Sequence, residues 1–198
     1  MNNLHSLIIT LAAGTLCLPF YSSAQSDTGA QENPEQMTRL KNEAMGIVKQ
    51  FASSLKPQLK NAMQTGGPVL AIEVCSIQAP AIAENLSTEN GWTVTRVSLK
   101  PRNNHSATAD KWEAEVLKQF DARQQDGEAA NKLVYEEIID GQYRLMKAQP
   151  VEPLCLTCHG QNISTEVTKA LGNHYADDQA TGYSLGQVRG AISVSRKL

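Results

Sequence analysis

Residues Leu133–Gln149 read LVYEEIIDGQYRLMKAQ. Two runs rich in β-branched, aromatic and aliphatic residues flank Asp140-Gly141, a pair that favours the positive φ angles of a tight hairpin turn. This stretch predicts two antiparallel strands, Leu133–Ile139 and Gln142–Gln149. Downstream, Val188–Val194 (VRGAISV) reads as a last strand. Upstream, Trp92–Leu99 (WTVTRVSL) alternates and is rich in β-branched residues, so it reads as a first one. Between them lie a polar loop, Lys100–Ala109, and a helix to about Gln125. Asp110 is placed to cap that helix, with Glu113 three residues on. A further helix is predicted near Thr165–Leu171.

The chain before the first strand is helical in pattern. Leu40, Ala44, Ile47, Val48, Phe51, Leu55 and Leu59 recur at spacings of three and four, one apolar stripe. Pro34 suits a first-turn position. Pro57 is expected to kink or divide this helix, and Gly66-Gly67-Pro68 to end it. A second stretch, Val69–Leu86, sets Ile72, Cys75, Ala79, Ile82 and Leu86 on one face, with Pro80 expected to break it. Helices first, then antiparallel strands with a helix between them, indicate an α+β domain: a small antiparallel sheet flanked by helices behind a long N-terminal helical segment.

The chain has 198 residues, about one domain. Its 18 Lys and Arg against 20 Asp and Glu give a net charge of −2, which excludes the basic surface of a general nucleic-acid binder. Leu7–Phe20 (LIITLAAGTLCLPF) has the length of a signal-peptide core, although Met1–Ser6 carries no Lys or Arg. Ser22 and Ala24 are the small residues of a cleavage site before Gln25. Residues 1–24 therefore read as a signal peptide to the periplasm, 25–33 as a flexible leader and 34–198 as one domain. Cys17, within the apolar core and directly after Leu16, makes a poor lipid-attachment site and is discarded on this reading. No uninterrupted apolar run reaches the ~18 residues of a transmembrane helix, so no stable membrane insertion is expected.

The mature chain keeps Cys75, Cys155 and Cys158, an odd number for a compartment where cysteines pair. Cys155-Leu156-Thr157-Cys158-His159 is a C-x-x-C-H sequence, the attachment site of c-type haem. Two residues between the thiols let both reach vinyl groups on one porphyrin edge, and the next residue supplies the proximal imidazole. A zinc site needs four ligands, and the chain has no second C-x-x-C pair. A thioredoxin-like pair belongs between a strand and a helix, whereas Pro150 and Pro153 precede this one. The expected cofactor is one covalently attached haem c.

The residues alone leave the distal ligand open among Cys75, His105, His174, Met37, Met45, Met63 and Met146. Methionines on a helical stripe usually fill core, and His105 and His174 sit in polar surroundings. Cys75 is the thiol without a partner, which metal ligation would protect. Arg96, Arg102, Arg144 and Arg189 are candidates to pair with haem propionates.

Further residues carry a resemblance. Ala71-Ile72-Glu73-Val74-Cys75 is followed by Ala79-Pro80-Ala81-Ile82-Ala83, Arg96-Val97-Ser98-Leu99, Arg102-Asn103 and Trp112-Glu113. Then come Cys155–Gly160, Gly182-Tyr183 and Arg189-Gly190-Ala191-Ile192-Ser193-Val194. Together they resemble a family of exported c-type haem domains with a PAS-like fold, first catalogued as a domain of unknown function. Its members stand alone or form the extracytoplasmic sensor part of bacterial signalling proteins. The resemblance implies a PAS-like fold from about Leu40 to the C-terminus and His159/Cys75 axial ligation. It departs after Arg102-Asn103, where the family continues with Pro and a further Asn and this chain reads Asn104-His105-Ser106. His105 thus stays an alternative ligand.

These readings predict a periplasmic monohaem cytochrome with His/Cys ligation that carries single electrons, not an enzyme. The alternative is a redox or gas sensor acting through a partner protein, with a small gas such as CO or NO as possible ligand. The basic residues Arg39, Lys41, Lys49, Lys56 and Lys60 against Glu35 and Glu43 mark a candidate docking face for an unidentified redox partner.

Overall fold

A computed structural model describes residues Asn33–Leu198. The expected signal peptide, its cleavage site, Cys17 and nearly all of the leader lie outside the described residues. The described residues open on a 57-residue helix, α1 (Pro34–Asn90). Asn33 caps it by accepting the Glu35 amide at 3.0 Å, and Pro34 occupies the first turn, where a missing N–H costs nothing. Gly67 alone leaves helical geometry, at φ 67° and ψ −163°. Pro68 then restarts the helix as a first-turn proline. The expected stop is therefore a kink between two arms, 34–66 and 68–90. Pro57 and Pro80 do not divide the helix. Both lie on exposed positions. Gly91, at φ 68°, ends the second arm in the left-handed conformation.

Four strands follow, with short helices between them: β1 (Thr93–Val97), β2 (Val134–Ile139), β3 (Gln142–Pro150) and β4 (Val188–Lys197). They form one sheet in the order β1-β4-β3-β2, antiparallel throughout. The hairpin joins β2 to β3 as expected, with Asp140 at φ 52° and Gly141 at φ 70°. The polar loop holds one turn of helix, α2 (Asn104–Ala107), capped by Asn103. Helix α3 (Lys111–Gln125) starts with a complete capping box. Asp110 Oδ1 accepts the Glu113 amide at 2.8 Å, and Glu113 Oε2 accepts the Asp110 amide at 2.9 Å, an arrangement that contributes about 1 kcal/mol. Helix α4 (Leu156–His159) holds the C-x-x-C-H turn, and α5 (Thr165–His174) follows it.

Strand alternation sorts the core into two layers. Tyr143, Leu145, Ile192, Val194 and Val94 face α1 and pack on Leu40, Ala44, Phe51, Ile82 and Leu86. Both arms of α1 thus share one core, so the kink at Gly67 turns the second arm back toward the sheet that the first one covers. Met146, Ala148, Ala191 and Val97 face the other way, onto Val116, Leu117 and Phe120 of α3. A smaller cluster joins Ile72 of α1 to Val167, Ala170 and Leu171 of α5. The fold is α+β and PAS-like, as the sequence predicts.

Helix α1 contains an 18-residue window of mean hydropathy 1.3, long and apolar enough on composition to cross a bilayer. This qualifies the sequence expectation. Of that window, 22% is buried; in the second arm Ala71, Ile72, Ala79, Ile82 and Leu86 pack in the domain core. Much of the basic face of the first arm is paired, with Lys41 on Glu136 at 2.5 Å and Lys56 on Glu152 at 2.7 Å.

Candidate functional site

Pro153 opens a turn of 3-10 helix that ends at Cys155, and α4 continues it to His159. Cys155 and Cys158 are one helical turn apart and so share a face. Gly160 closes the turn by donating to Leu156 O at 2.9 Å. A Cβ at Gly160 would meet that same oxygen at 2.5 Å, which explains why glycine follows the histidine. The Gly182 amide donates to Gly160 O and the Tyr183 amide to His159 O, each at 2.9 Å, pinning the motif to the returning chain.

His159 Nδ1 lies 2.7 Å from the carbonyl oxygen of Ala180 and 3.0 Å from Arg189 Nε. A carbonyl only accepts, so the shorter contact requires the proton on Nδ1, and Arg189 Nε then faces it as a second donor without a bond. Arg189 is held instead through NH1, which donates to Ser98 Oγ at 3.0 Å. This tautomer leaves Nε2 with its lone pair free, the form in which a histidine binds a metal. Burial pulls the imidazole down to about 2, helped by the nearby positive charges of Arg189 and Arg102. The ring is therefore neutral throughout the physiological range.

Arg102 clamps the motif from the loop after β1. Its guanidinium donates to Cys158 O, to Ala180 O at 3.2 Å and to Asp178 Oδ1 at 3.2 Å. Both members of the Arg102–Asp178 pair are largely buried, with side chains 12% and 11% exposed. Asp178 also accepts the Ala180 amide at 2.8 Å, so the carbonyl that orients His159 is itself fixed.

His159, Cys155, Cys158 and Cys75 all line one cavity of about 990 Å³, at the top of the ~300–1,000 Å³ range of small-molecule sites. Its walls are both arms of α1, β1, the loop at Arg102–Ala107 and the end of β3. All three thiols are free of disulfides. Burial pushes the Cys75 thiol up, opposed by the charges of Arg96 and Arg102. Burial likewise raises Cys158.

The structure separates the remaining candidates. His105 is exposed on α2, and His174 is exposed at the end of α5 with Nδ1 3.4 Å from Ser76 Oγ; neither lines the cavity. Met146 is fully buried on the α3 side of the sheet, and Met37 packs against the α1 core. Met45 and Met63 do line the cavity. Among the four arginines, Arg144 points to the opposite layer, stacked 4.2 Å from the Trp112 ring and paired with Asp110 at 2.6 Å. It is no propionate partner. Arg102 and Arg189 are engaged as described, and Arg96 alone lines the cavity without a polar partner.

Among the described residues, no group of three or more His, Cys, Asp or Glu side chains gathers to hold a metal ion. His159 and Cys75 offer two ligands in one cavity, which fits a metal that brings its own equatorial donors. Two thiols on one face, a neutral imidazole beside them, an apolar cavity and a buried cation fit a haem with its propionates.

Sequence reasoning missed the clamp. Arg102 and Asp178 are 76 residues apart, so no local pattern joins them. Tyr175, which lines the cavity beside Cys75's helix, was equally invisible.

Comparison with known proteins bears on the family and the fold. The sequence profile of the Tll0287-like family matches residues 24–196. The chain belongs to the Tll0287-like family. Among solved structures, the crystal structure of the cyanobacterial heme-protein Tll0287 superposes with a TM-score of 0.58 at 22% identity, over 83% of this chain and 96% of that one. Comparison with curated proteins gives no match. The Tll0287-like fold is thus common to both chains.

Proposed function

We propose that the protein is a periplasmic one-electron carrier with a single haem c, bound through Cys155 and Cys158 and ligated by His159 and Cys75. The observation that carries the reading is His159, held by the Ala180 carbonyl in the tautomer that frees Nε2, in the cavity that all three free thiols line. The solved relative described as a heme-protein supports it. Haem, when bound, supplies an iron that changes charge by one electron. Cys155 and Cys158 would hold it through thioether bonds to its two vinyl groups. A Cys75 thiolate donates to ferric iron and so lowers the reduction potential below that of His/Met ligation. With both axial residues in place, no open position serves substrate turnover. The export signal at Leu7–Phe20 supports the periplasmic placement.

A second reading, a redox or gas sensor, is favoured by one observation. Cys75 stands on the arm of α1 beyond Gly67, whose φ of 67° marks the break in the helix. Release of Cys75 on reduction would open a site for CO or NO. Burial favours the neutral thiol and assists that release.

A spectroscopic redox titration, followed by NMR of mixed ferric and ferrous protein, tests the proposal. The expected result is a one-electron transition with fast self-exchange and a ferrous spectrum unchanged by CO. Slow exchange with CO binding to the ferrous protein would replace the carrier with the sensor.

A further inference from the structure

We infer that Arg96 is the carboxylate-binding residue of the cavity and that its partner is a haem propionate. This rests on the haem reading above. β1 pairs Arg96 with Ile192 of β4, and both residues line the cavity on the α1 side of the sheet. The Arg96 Nε is buried and bonds to nothing, and no ion pair or hydrogen bond to Arg96 exists among the described residues. The Phe51 ring stands 5.9 Å from the guanidinium carbon, and Cys75 and Tyr175 lie close enough for their charges to act on it.

A buried cation without a partner costs several kcal/mol, and arginine keeps its charge even so. An anion that enters the cavity meets this unpartnered guanidinium. Of the other basic groups that line it, Arg102 pairs with Asp178 and Lys56 with Glu152, Lys147 donates to the Leu133 carbonyl, Arg189 donates to Ser98, and Lys49 is exposed to solvent. A planar guanidinium suits a planar carboxylate, which it grips through two parallel N–H···O bonds. The anionic groups that a haem brings into such a cavity are its two propionates.

Resonance Raman spectra of the haem-loaded protein and of Arg96→Gln test this directly, because propionate bending bands respond to hydrogen bonding. The expected result is a shift of one propionate band to lower frequency, with the bands that report axial ligation unchanged. Should Arg96→Gln fail to load, Arg96→Lys provides the comparison: it keeps the charge, loses the fork and is expected to shift the same band less. Propionate bands that stay in place in the haem-loaded variant would overturn the inference and leave Arg96 as a cation packed on Phe51. Wild-type protein that carries no haem would instead overturn the haem reading on which the inference rests.

Discussion

Replacing both Cys155 and Cys158 with alanine is expected to abolish covalent haem. After denaturing electrophoresis the in-gel haem signal of the double variant should fall to background, while wild type keeps it in full. The reason is geometric. The 3-10 turn from Pro153 and the short helix Leu156–His159 put the two thiols on one face, one turn apart, at the wall of the cavity. The one other thiol described there is Cys75, which lines the cavity from α1. Each single variant should keep one thioether, retaining the stain but shifting the pyridine haemochrome band to longer wavelength because one vinyl stays conjugated. A double variant that still stains would place the attachment elsewhere.

Arg102→Ala is expected to be the most damaging single change outside the haem ligands. It deletes a donor shared by Cys158 O, Ala180 O and Asp178, and leaves the Asp178 carboxylate buried without its cation. Breaking a buried pair from one side costs about 3–5 kcal/mol, a large part of the ~5–15 kcal/mol that holds a domain together. The damage should reach the iron as well, since the Ala180 carbonyl that holds His159 is one of the three acceptors. Arg102→Lys keeps the charge but carries its donors on one nitrogen and loses the planar fork that reaches the acceptors from two, so an intermediate loss is expected. Urea unfolding measures the first effect, and broadening of the ferric low-spin EPR lines measures the second. A loss below about 1 kcal/mol in Arg102→Ala would show that the clamp does not hold the motif.

The β-hairpin, the capping box at Asp110 and the C-x-x-C-H turn were legible because each is encoded within a few residues. Asp140-Gly141 needs only its own φ angles, and Asp110 and Glu113 need only each other. The prolines were misleading because their effect depends on which side of the helix they occupy. Pro57 and Pro80 are exposed and do not divide α1, whereas Gly67, with no Cβ, takes the kink. The arginines could not be sorted at all from the sequence. Whether Arg96, Arg102, Arg144 or Arg189 faces the cavity depends on strand parity and on partners far along the chain. Arg96 and Arg102 flank one loop, yet one is unpartnered and the other makes the central clamp.

The axial pair is the centre of the account, and it is tested most directly by low-temperature EPR of the ferric, haem-loaded protein beside Cys75→Ala. The account predicts a low-spin signal with the narrow g-spread of thiolate ligation in wild type, lost in the variant. A signal of wide g-spread that is unchanged by Cys75→Ala would contradict it. That result would reduce Cys75 to a wall residue and pass the distal position to Met45 or Met63, the other soft ligands that line the cavity.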